Sequence, residues 1–378
     1  MAKKVALVFG GRSLESDISV ITAMQTLAAL KETEFIVEPV YLTEGGFYMR
    51  GVDDIAAFTP FERDKHLRVI LADGVFLSVR RGKLRREFRP DVALICCHGG
   101  EGENGVLQGL LEFNGVPYTS AGVTASAVCM DKAASKCVFE QMLLNVLPYV
   151  TVRSSDALSD PYAVTLVCER TLDYPVIVKP ASQGSSIGIS AAHDREELAE
   201  ALAVAARFDD KLVVEEKLTD FVEVNCAAYA RGGEVIVSET ERPLSAGELL
   251  TFEDKYVSGG KMSGGGREMP APVGDELNAL VRTLTERIYR TMELKGVVRV
   301  DFLVDRVREK VYINEVNTVP GSMAFYLFEP AGKSFSEVIC DIVEDAAERG
   351  AARRARPAYS SPVLSFYGRG AHGGKCAP

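Results

Sequence analysis

The sequence predicts an α/β protein, α+β in part, and two strand-then-helix units near the N-terminus support this most directly. In each unit an apolar strand runs through a glycine-rich turn into a helical pattern. The strands are expected at 5–9, 36–42 and 91–97, and the helices at 17–30 and 104–113. Because strands that alternate with helices form parallel sheets, residues 1–122 are predicted to be one such domain.

The remaining patterns give further strands and helices. Residues 45–90 are basic and less regular, and we expect a meander on the flank of the first domain. Later strands are expected at 174–180, 211–217, 222–230, 234–239 and in a ribbon at 296–316, and helices within 122–145 and at 196–207, 275–292 and 333–349. Asp194, three residues before Glu197, is the expected N-terminal cap of the helix at 196–207.

One long loop and a tail complete the organisation. Residues 243–272 are rich in Gly, Ser, Lys and Pro, and loops of that length inside compact domains are usually functional, so we predict a lid. The tail, 357–378, is expected to be disordered. The predicted domains are 1–122, 123–214 and 215–356, the last including the lid.

Length and composition limit the class of protein. At 378 residues the chain is too long for one ordinary core, and 47% hydrophobic and 25% charged residues are typical of a globular protein. No apolar run approaches the roughly 20 residues that a membrane span needs. After Lys3-Lys4 only about five apolar residues follow, which predicts a buried strand and not a signal peptide. The net charge of -10 argues against a nucleic-acid surface.

The eight cysteines have no C-x-x-C spacing, and several lie in apolar stretches where a free thiol behaves as a small hydrophobe. A reducing compartment fits this pattern best, so we expect a cytoplasmic location without a membrane partner.

Two strand-like runs near the C-terminus carry a possible metal site. In each run polar residues alternate with apolar ones and therefore project from one face. Asp301, Glu315 and Asn317 would present oxygen donors there, which are the ligands that Mg²⁺ prefers. Arg299 would lie on the same face. Hard oxygen ligands beside an arginine indicate phosphoryl transfer, although a polar, solvated ribbon would give the same pattern.

A lysine followed by a glycine- and serine-rich loop suggests a phosphate site. Lys179 ends a predicted strand, and Gly184, Ser185 and Ser186 follow in a loop whose N–H groups and hydroxyls can bind phosphate oxygens. The chain has no Walker A sequence. Downstream, three glutamates flank an apolar turn and could accept from an adenine amino group and ribose hydroxyls. They are Glu215, Glu216 and Glu223, with Leu218 at the start of the turn.

Residues Gly100–Gly105 match the G-x-G-x-x-G dinucleotide pattern, which would make the chain a nicotinamide-dependent oxidoreductase. Glu101 and Glu103 within the match would face a pyrophosphate, and no acidic residue follows at the expected distance. The preferred interpretation is that His98 and the following helix face a small anionic ligand, with a structural histidine as the alternative. Glu15 opens the first helix, where a carboxylate could be a simple cap.

In chain order, these motifs resemble a D-alanine–D-alanine ligase of the ATP-grasp superfamily. The resemblance spans residues 4 to about 350. It rests on Phe9-Gly-Gly-Arg-Ser-Leu-Glu-Ser16, His98-Gly-Gly-Glu-Gly-Glu-Asn-Gly-Val-Leu-Gln-Gly109, Met130-Asp-Lys132, Val178-Lys-Pro-Ala-Ser-Gln-Gly-Ser-Ser186, Lys255-Tyr256, Arg299-Val-Asp-Phe302 and Asn314-Glu-Val-Asn-Thr-Val-Pro-Gly321.

The resemblance implies an ATP-grasp fold behind a Rossmann-like N-terminal domain. It also implies ATP-dependent ligation of two D-alanines through an acyl phosphate, for peptidoglycan precursor synthesis. The catalytic residues that it implies are Glu15, Ser185, Tyr256, Arg299 and Gly321. The implied ATP-binding residues are Lys132, Lys179, Ser185, Ser186, Glu215, Glu216, Leu218, Glu223 and Lys255, and the implied ligands of two Mg²⁺ ions, or Mn²⁺ in their place, are Asp301, Glu315 and Asn317. The implied substrate-binding residues are Glu15, His98, Arg299, Ser322, Tyr326 and Leu327.

The sequence departs from the family pattern at three places. Gln183 stands in the phosphate loop where an acidic residue is common. Tyr326 replaces a serine that binds the second substrate's carboxylate in many members, which leaves Ser322 or the Tyr326 hydroxyl for that role. The spacing to Glu223 is one residue longer than usual, so Glu215 and Glu216 are equal candidates for the adenine contact.

The alternative acceptors within the class are D-serine and D-lactate. The pair Lys255-Tyr256 in the lid favours D-alanine, because a tyrosine there supports an amine nucleophile. We expect small-molecule substrates, no nucleic acid or membrane partner, and a homodimer.

Overall fold

The computed structural model describes residues 2–244, 266–355, 361, 363 and 364. Within them the chain forms sheets of seven, four and five strands. No helix in these ranges is long and apolar enough to cross a membrane. The seven cysteines among them are free thiols.

The N-terminal sheet has seven strands in the order β6-β5-β4-β3-β2-β1-β7. Its elements are β1 (Lys4–Gly10), α1 (Ser16–Leu30), β2 (Ile36–Thr43), β3 (Gly46–Met49), β4 (Leu67–Ala72), β5 (Val75–Arg80), β6 (Lys83–Phe88), β7 (Val92–Ile95), α2 (Gly100–Glu103) and α3 (Val106–Phe113). β1 pairs in parallel with β2 and β7, as predicted. The predicted meander is confirmed as four antiparallel strands that extend the same sheet, which is therefore mixed.

The four-stranded sheet is antiparallel in the order β10-β9-β11-β8. The elements of this region are α4 (Val123–Met130), α5 (Lys132–Gln141), β8 (Tyr149–Arg153), α6 (Ser154–Ser159), α7 (Pro161–Cys168), β9 (Val176–Pro180), β10 (Ser190–Ala192), α8 (Arg195–Ala205) and β11 (Lys211–Glu216). Asp194 caps α8 as predicted, accepting from the Glu197 N–H at 2.9 Å. β8, α6 and α7 were not predicted from the sequence.

The five-stranded sheet is antiparallel in the order β14-β13-β12-β15-β16. The elements are β12 (Phe221–Arg231), β13 (Glu234–Pro243), β14 (Arg267–Glu268), α9 (Asp275–Thr291), β15 (Val298–Asp305), β16 (Lys310–Asn317) and α10 (Phe335–Arg354). Most of the predicted lid lies outside the described residues. Its two ends adjoin, because Pro243 pairs with Arg267.

The cores explain how the sheets are held together. β1 is buried from Val5 to Phe9, and α10 packs in the same core through Val338, Ile342 and Val343. That core also includes Tyr229 of β12, so α10 joins the seven- and five-stranded sheets. Burying one such side chain stabilises the fold by roughly 1.5–3 kcal/mol.

The domain division stays a prediction, but two contacts bear on it. β11 runs through the expected boundary between 214 and 215. Cys129 of α4 and Phe139 of α5 pack in the core of the five-stranded sheet, although both helices precede the four-stranded sheet in the chain.

Candidate active site

A cavity of about 700 Å³ lies between the four- and five-stranded sheets. Its walls come from both, with Lys179 and Glu215 on one side and Leu303 and Asn314 on the other. Ligand sites in proteins are typically roughly 300–1,000 Å³ and combine apolar walls with a few polar groups. The cavity is large enough for a nucleotide.

The predicted nucleotide-binding residues converge on this cavity. Those that line it are Lys132, Lys179, Ser185, Ser186, Glu215, Glu216, Leu218 and Glu223. Glu315, a predicted metal ligand, lines it as well. Lys255 and Tyr256 lie outside the described residues. Residues from four separate stretches of sequence are therefore brought to one place.

Lys132 connects the glycine- and serine-rich loop at 183–186, the predicted phosphate loop, to β16. Its Nζ donates to the Gln183 carbonyl at 2.6 Å and lies 3.5 Å from Glu315 Oε2. The side chain is only 11% exposed, so its charge acts where solvent screening is weak. A phosphate between the loop and β16 would meet this cation.

Glu215 is the centre of a buried ion-pair cluster. Lys136 Nζ lies 2.7 Å from one carboxylate oxygen and Lys179 Nζ contacts the other. Burial alone would raise the pKa of Glu215, but the two lysines outweigh it and lower the pKa to about 2. Lys179 also donates to Asn314 Oδ1 at 3.2 Å. The Glu215 carboxylate thereby fixes Lys179 at the cavity wall.

Glu216 differs from Glu215 in its contacts. Its Oε1 accepts from the Asp173 backbone N–H at 3.3 Å, at the surface side of the cavity. Both carboxylates line the cavity, so both stay candidates for the adenine contact.

The predicted metal ligands lie on adjacent strands. Asp301 on β15 is paired in register with Glu315 on β16, and Arg299 with Asn317. Asp301 is 2% exposed and accepts from Arg299 at 2.6 and 2.8 Å and from Asn317 Nδ2 at 3.0 Å. In the described residues no three His, Cys, Asp or Glu side chains form a metal cluster. The predicted set contains two carboxylates and an amide, and these hard oxygen donors fit Mg²⁺ chemically.

Tyr326 is part of a buried polar cluster next to Arg299. Its hydroxyl donates to Glu241 Oε1 at 2.9 Å, and the Arg267 guanidinium stacks over its ring at 3.8 Å. Burial and the Glu241 charge raise the pKa of Tyr326, so the hydroxyl keeps its proton. Because that single proton is donated to Glu241, the hydroxyl does not offer it to a substrate carboxylate in this conformation.

Ser322 and Leu327 are the other predicted contacts for the second substrate. Leu327 is fully buried in the N-terminal core, so its side chain is closed to a ligand. The Ser322 backbone N–H donates to Thr22 Oγ1 at 3.1 Å. Among the described residues its hydroxyl makes no hydrogen bond. Ser322, itself buried, therefore has a hydroxyl proton that is not already donated to a protein acceptor, unlike Tyr326.

Glu15 bridges the N-terminal domain and the phosphate loop. It occupies the cap position of α1, yet its side chain makes no capping hydrogen bond. Its carboxylate instead accepts from the Ser185 hydroxyl. A Cβ on Gly184 would lie 2.7 Å from Glu15 Oε2, so the glycine permits this approach. Glu15 therefore supplies no side-chain cap, and its role as a substrate ligand stays a prediction.

His98 is a buried, neutral histidine. Nδ1 lies 2.7 Å from the Val319 carbonyl and Nε2 lies 2.8 Å from Thr22 Oγ1. A carbonyl only accepts, so Nδ1 carries the proton and Nε2 accepts from the threonine. Burial lowers the pKa of His98 to about 4. Both ring nitrogens are thus bonded to protein groups and the ring is uncharged at neutral pH, while a ligand contact of His98 stays a prediction.

The glycine-rich match at 100–105 is not a dinucleotide site. It forms the four-residue α2 and the turn after it. Glu101 pairs with Arg12, while Glu103 accepts from the Gly99 and Val319 N–H groups, each at 2.7–2.8 Å. Protein donors hold both carboxylates where a pyrophosphate would have to bind. The oxidoreductase interpretation is therefore wrong.

Comparison with known proteins agrees with this geometry. The family model described as D-ala D-ala ligase N-terminus matches residues 4–121, and that described as D-ala D-ala ligase C-terminus matches 138–344. A D-alanine--D-alanine ligase of Thermosipho africanus is 34% identical, covering 91% of this chain and 93% of that protein. One of Chloroherpeton thalassium is 35% identical, covering 94% and 99%. The chain belongs to the D-alanine–D-alanine ligase family.

Solved structures share the fold. The D-alanyl-alanine synthetase A of Vibrio cholerae superposes with a TM-score of 0.75 at 24% identity, covering 92% of this chain and 98% of that one. The D-Ala:D-Ser ligase of Enterococcus faecalis gives 0.77 at 25% identity, covering 92% and 100%. The predicted ATP-grasp fold is confirmed, and membership of this ligase family implies the use of ATP.

Several residues of this candidate site were not predicted from the sequence. Lys136 and Glu241 were not singled out, nor were the apolar walls of the cavity. These walls include Ile177, Ile189, Val222 and Leu303. Lys136 follows Lys132 by four residues on a predicted helix, so the shared face was a usable signal. The walls carried none, because their residues resemble any other strand interior.

Proposed function

We propose that this chain carries out the reaction of its family, the joining of two D-alanines to D-alanyl-D-alanine with consumption of ATP. The observation that supports this best is the Ser185–Glu15 hydrogen bond, which brings a carboxylate of the N-terminal domain to the edge of the nucleotide-sized cavity. The product would serve as a peptidoglycan precursor.

Nucleotide binding follows from the cavity lining. Lys132 and Lys179 neutralise the phosphates, and the N–H groups of Ser185 and Ser186, together with the Ser186 hydroxyl, bind their oxygens. The adenine and ribose lie against Leu218 with Glu216 or Glu215 and Glu223 as acceptors. Two Mg²⁺ ions held by Asp301, Glu315 and Asn317 would neutralise charge on the transferring phosphate.

In the first step the carboxylate of one D-alanine attacks the γ-phosphorus, giving D-alanyl phosphate and ADP. Glu15 pairs with the ammonium of this D-alanine and so orients its carboxylate towards the phosphates. The carboxylate of Glu15 is held for that task by Ser185.

In the second step the amine of the other D-alanine attacks the acyl carbon. The C–O bond to phosphate breaks, and the amine loses a proton as the peptide bond forms. Two nitrogens of Arg299 are bonded to Asp301, which leaves its remaining N–H groups for the oxyanion. The Gly321 backbone N–H is the second oxyanion donor.

The second D-alanine's carboxylate binds to the Ser322 hydroxyl. This assignment replaces Tyr326, whose proton is already donated to Glu241. D-serine is the competing acceptor, since the Enterococcus faecalis neighbour is a D-Ala:D-Ser ligase. We further propose a homodimer in the cytoplasm.

An acceptor screen tests the function. Phosphate release is measured with ATP, Mg²⁺ and D-alanine, alone and with D-serine or D-lactate, and the products are separated by mass. We expect D-alanyl-D-alanine to be the main product, with D-alanine outcompeting an equal concentration of D-serine. A mixed D-alanyl-D-serine product in excess would reassign the acceptor, and no ATP consumption with any D-amino acid would contradict the ligase function.

A further inference from the structure

The segment after β16 contains an unfavourable backbone turn. Ser322, Met323 and Ala324 have φ values of 50°, 53° and 44°, which is the left-handed region. Side chains of L-residues disfavour this region, so three such residues in succession persist only when the surroundings hold them. The turn begins at Gly321, whose N–H is the proposed oxyanion donor.

On its N-terminal side the turn is held by the N-terminal domain. Glu103 Oε1 accepts from the Val319 N–H at 2.8 Å, and His98 Nδ1 donates to the Val319 carbonyl at 2.7 Å. Both backbone polar groups of Val319 are therefore bonded to residues that lie more than 200 positions earlier in the chain, with separations of 216 and 221.

On the C-terminal side of Gly321 the backbone is held by α1. The Thr22 hydroxyl accepts from the Ser322 N–H at 3.1 Å and donates to His98 Nε2 at 2.8 Å. Thr22 is completely buried. Through its bond to His98, Thr22 connects the hydrogen bond at Ser322, after Gly321, with the hydrogen bonds at Val319, before it. We call Thr22, His98 and Glu103 together the turn clamp.

We propose that the turn clamp positions the Gly321 N–H for the ligation step. Its three side chains are positioning residues, because they bond the backbone on either side of Gly321 and none of them lines the cavity. The proposal rests on the proposed function of Gly321. It predicts that loss of the clamp lowers kcat, while ATP binding, which depends on the four-stranded sheet and β16, stays the same.

Thr22 allows a test that separates positioning from stability. Thr22→Val keeps the volume but removes the hydroxyl, whereas Thr22→Ser keeps the hydroxyl and removes a buried methyl group. Thr26→Val, one turn further on α1, is the matched control. Thr26 is equally buried, and within the described ranges its hydroxyl accepts only a long thiol contact from Cys96 at 3.6 Å. Steady-state kinetics and Tm are measured for all three.

We expect Thr22→Val to lower kcat about tenfold with the KM for ATP within twofold of wild type. Thr22→Ser should recover most of that loss despite a lower Tm, and Thr26→Val should keep wild-type kcat. Unchanged kcat in Thr22→Val, or equal losses in the valine and serine variants, would overturn the clamp. If wild-type protein itself makes no dipeptide, the proposed function fails instead.

Glu103 provides a second variant in case Thr22→Val does not fold. In Glu103→Gln one oxygen becomes an NH₂ group, which faces either the Gly99 or the Val319 N–H. Its control is Glu101→Gln in the same short helix, which loses only the pair with Arg12. A kcat loss confined to Glu103→Gln supports the clamp, and equal kcat in both variants overturns it.

Discussion

The Ser185 hydroxyl donates a hydrogen bond to the Glu15 carboxylate, joining residues 170 positions apart. Glu15 makes no capping bond to α1, so its position at the helix start does not explain its contact. The Glu15 carboxylate is held by the loop that contains Ser185 and not by its own helix, which places it at the cavity edge, where it can bind a ligand.

Glu15→Gln is predicted to weaken D-alanine use selectively. A charge-assisted bond to the substrate ammonium is worth roughly 1.5–3 kcal/mol, so the KM for D-alanine should rise by about tenfold or more. The KM for ATP and the Tm should stay close to wild type. Asp17→Asn, in the first turn of the same helix, is the control for a helix-dipole effect. Matching kinetics in both variants would remove Glu15 from the substrate site.

Glu315→Gln tests the metal assignment. It removes one negative charge from the proposed Mg²⁺ site, and kcat should fall by about a hundredfold or more because metal stabilisation of phosphoryl charge is worth several kcal/mol. Glu315 is a cleaner choice than Asp301, which also accepts two hydrogen bonds from Arg299. Mn²⁺ binding is followed by electron paramagnetic resonance with a non-hydrolysable ATP analogue. The exposed Glu309→Gln is the control, and undiminished Mn²⁺ affinity in Glu315→Gln would exclude Glu315 as a ligand.

Glu215→Gln is predicted to lower stability strongly. Removing one partner of a buried ion pair costs roughly 3–5 kcal/mol, because Lys136 and Lys179 would keep their charges without compensation. Since the folded pKa of Glu215 is about 2, below its usual 4.5, its contribution is present above pH 4.5 and is lost as the pH falls towards 2. Urea unfolding at pH 7 gives the comparison. Glu216→Gln, beside it on β11, should lose less than 1 kcal/mol; equal losses would argue against the buried cluster.

Ser322→Ala and Tyr326→Phe separate the two candidates for the acceptor carboxylate. Ser322→Ala removes the hydroxyl and keeps the backbone hydrogen bond to Thr22. The KM for the second D-alanine should rise about tenfold, because one hydrogen bond to the charged substrate carboxylate is lost. Tyr326→Phe removes the donor to Glu241 and should act mainly on Tm. The reverse pattern would return the role to Tyr326.

How far the sequence predicted this molecule depended on whether a feature was local. Alternation along β15 and β16 placed Asp301 and Glu315 opposite each other, because the side-chain period of a strand fixes its face. The Asp194 cap of α8 was equally local. Short helices such as α6, with six residues, have too few turns to show a period.

Partners distant in sequence were beyond such reasoning. Nothing near His98 in the sequence indicates that Thr22 and Val319 would bond both of its ring nitrogens. The left-handed turn at Ser322 was hidden as well, because its residues are not the glycines that usually mark positive φ. Both features exist only once the N-terminal domain packs against the segment after β16.

His98 is predicted to make stability pH-dependent between about pH 6.5 and 4. Its folded pKa is about 4, lowered by burial and by the nearby Arg299 charge from the usual 6.5. The unfolded state therefore binds a proton in this window that the folded state does not, so stability falls as the pH falls. The full shift corresponds to about 3 kcal/mol, and the protein should lose this contribution progressively below pH 6.5.

Two measurements check this dependence. The protein has four histidines, and the NMR ring signal of one of them should show a neutral imidazole down to about pH 4.5. That signal should be absent in His98→Asn. Unfolding free energies of wild type and His98→Asn should converge as the pH falls from 6.5 to 4. Burial raises the pKa of Glu103 to about 7, so Glu103 makes stability rise as the pH falls from 7 to 4.5. Because Glu103 is present in both proteins, its contribution cancels when their unfolding free energies are subtracted. Parallel curves would show that His98 titrates normally in the folded protein and that its ring is not enclosed by Thr22 and Val319.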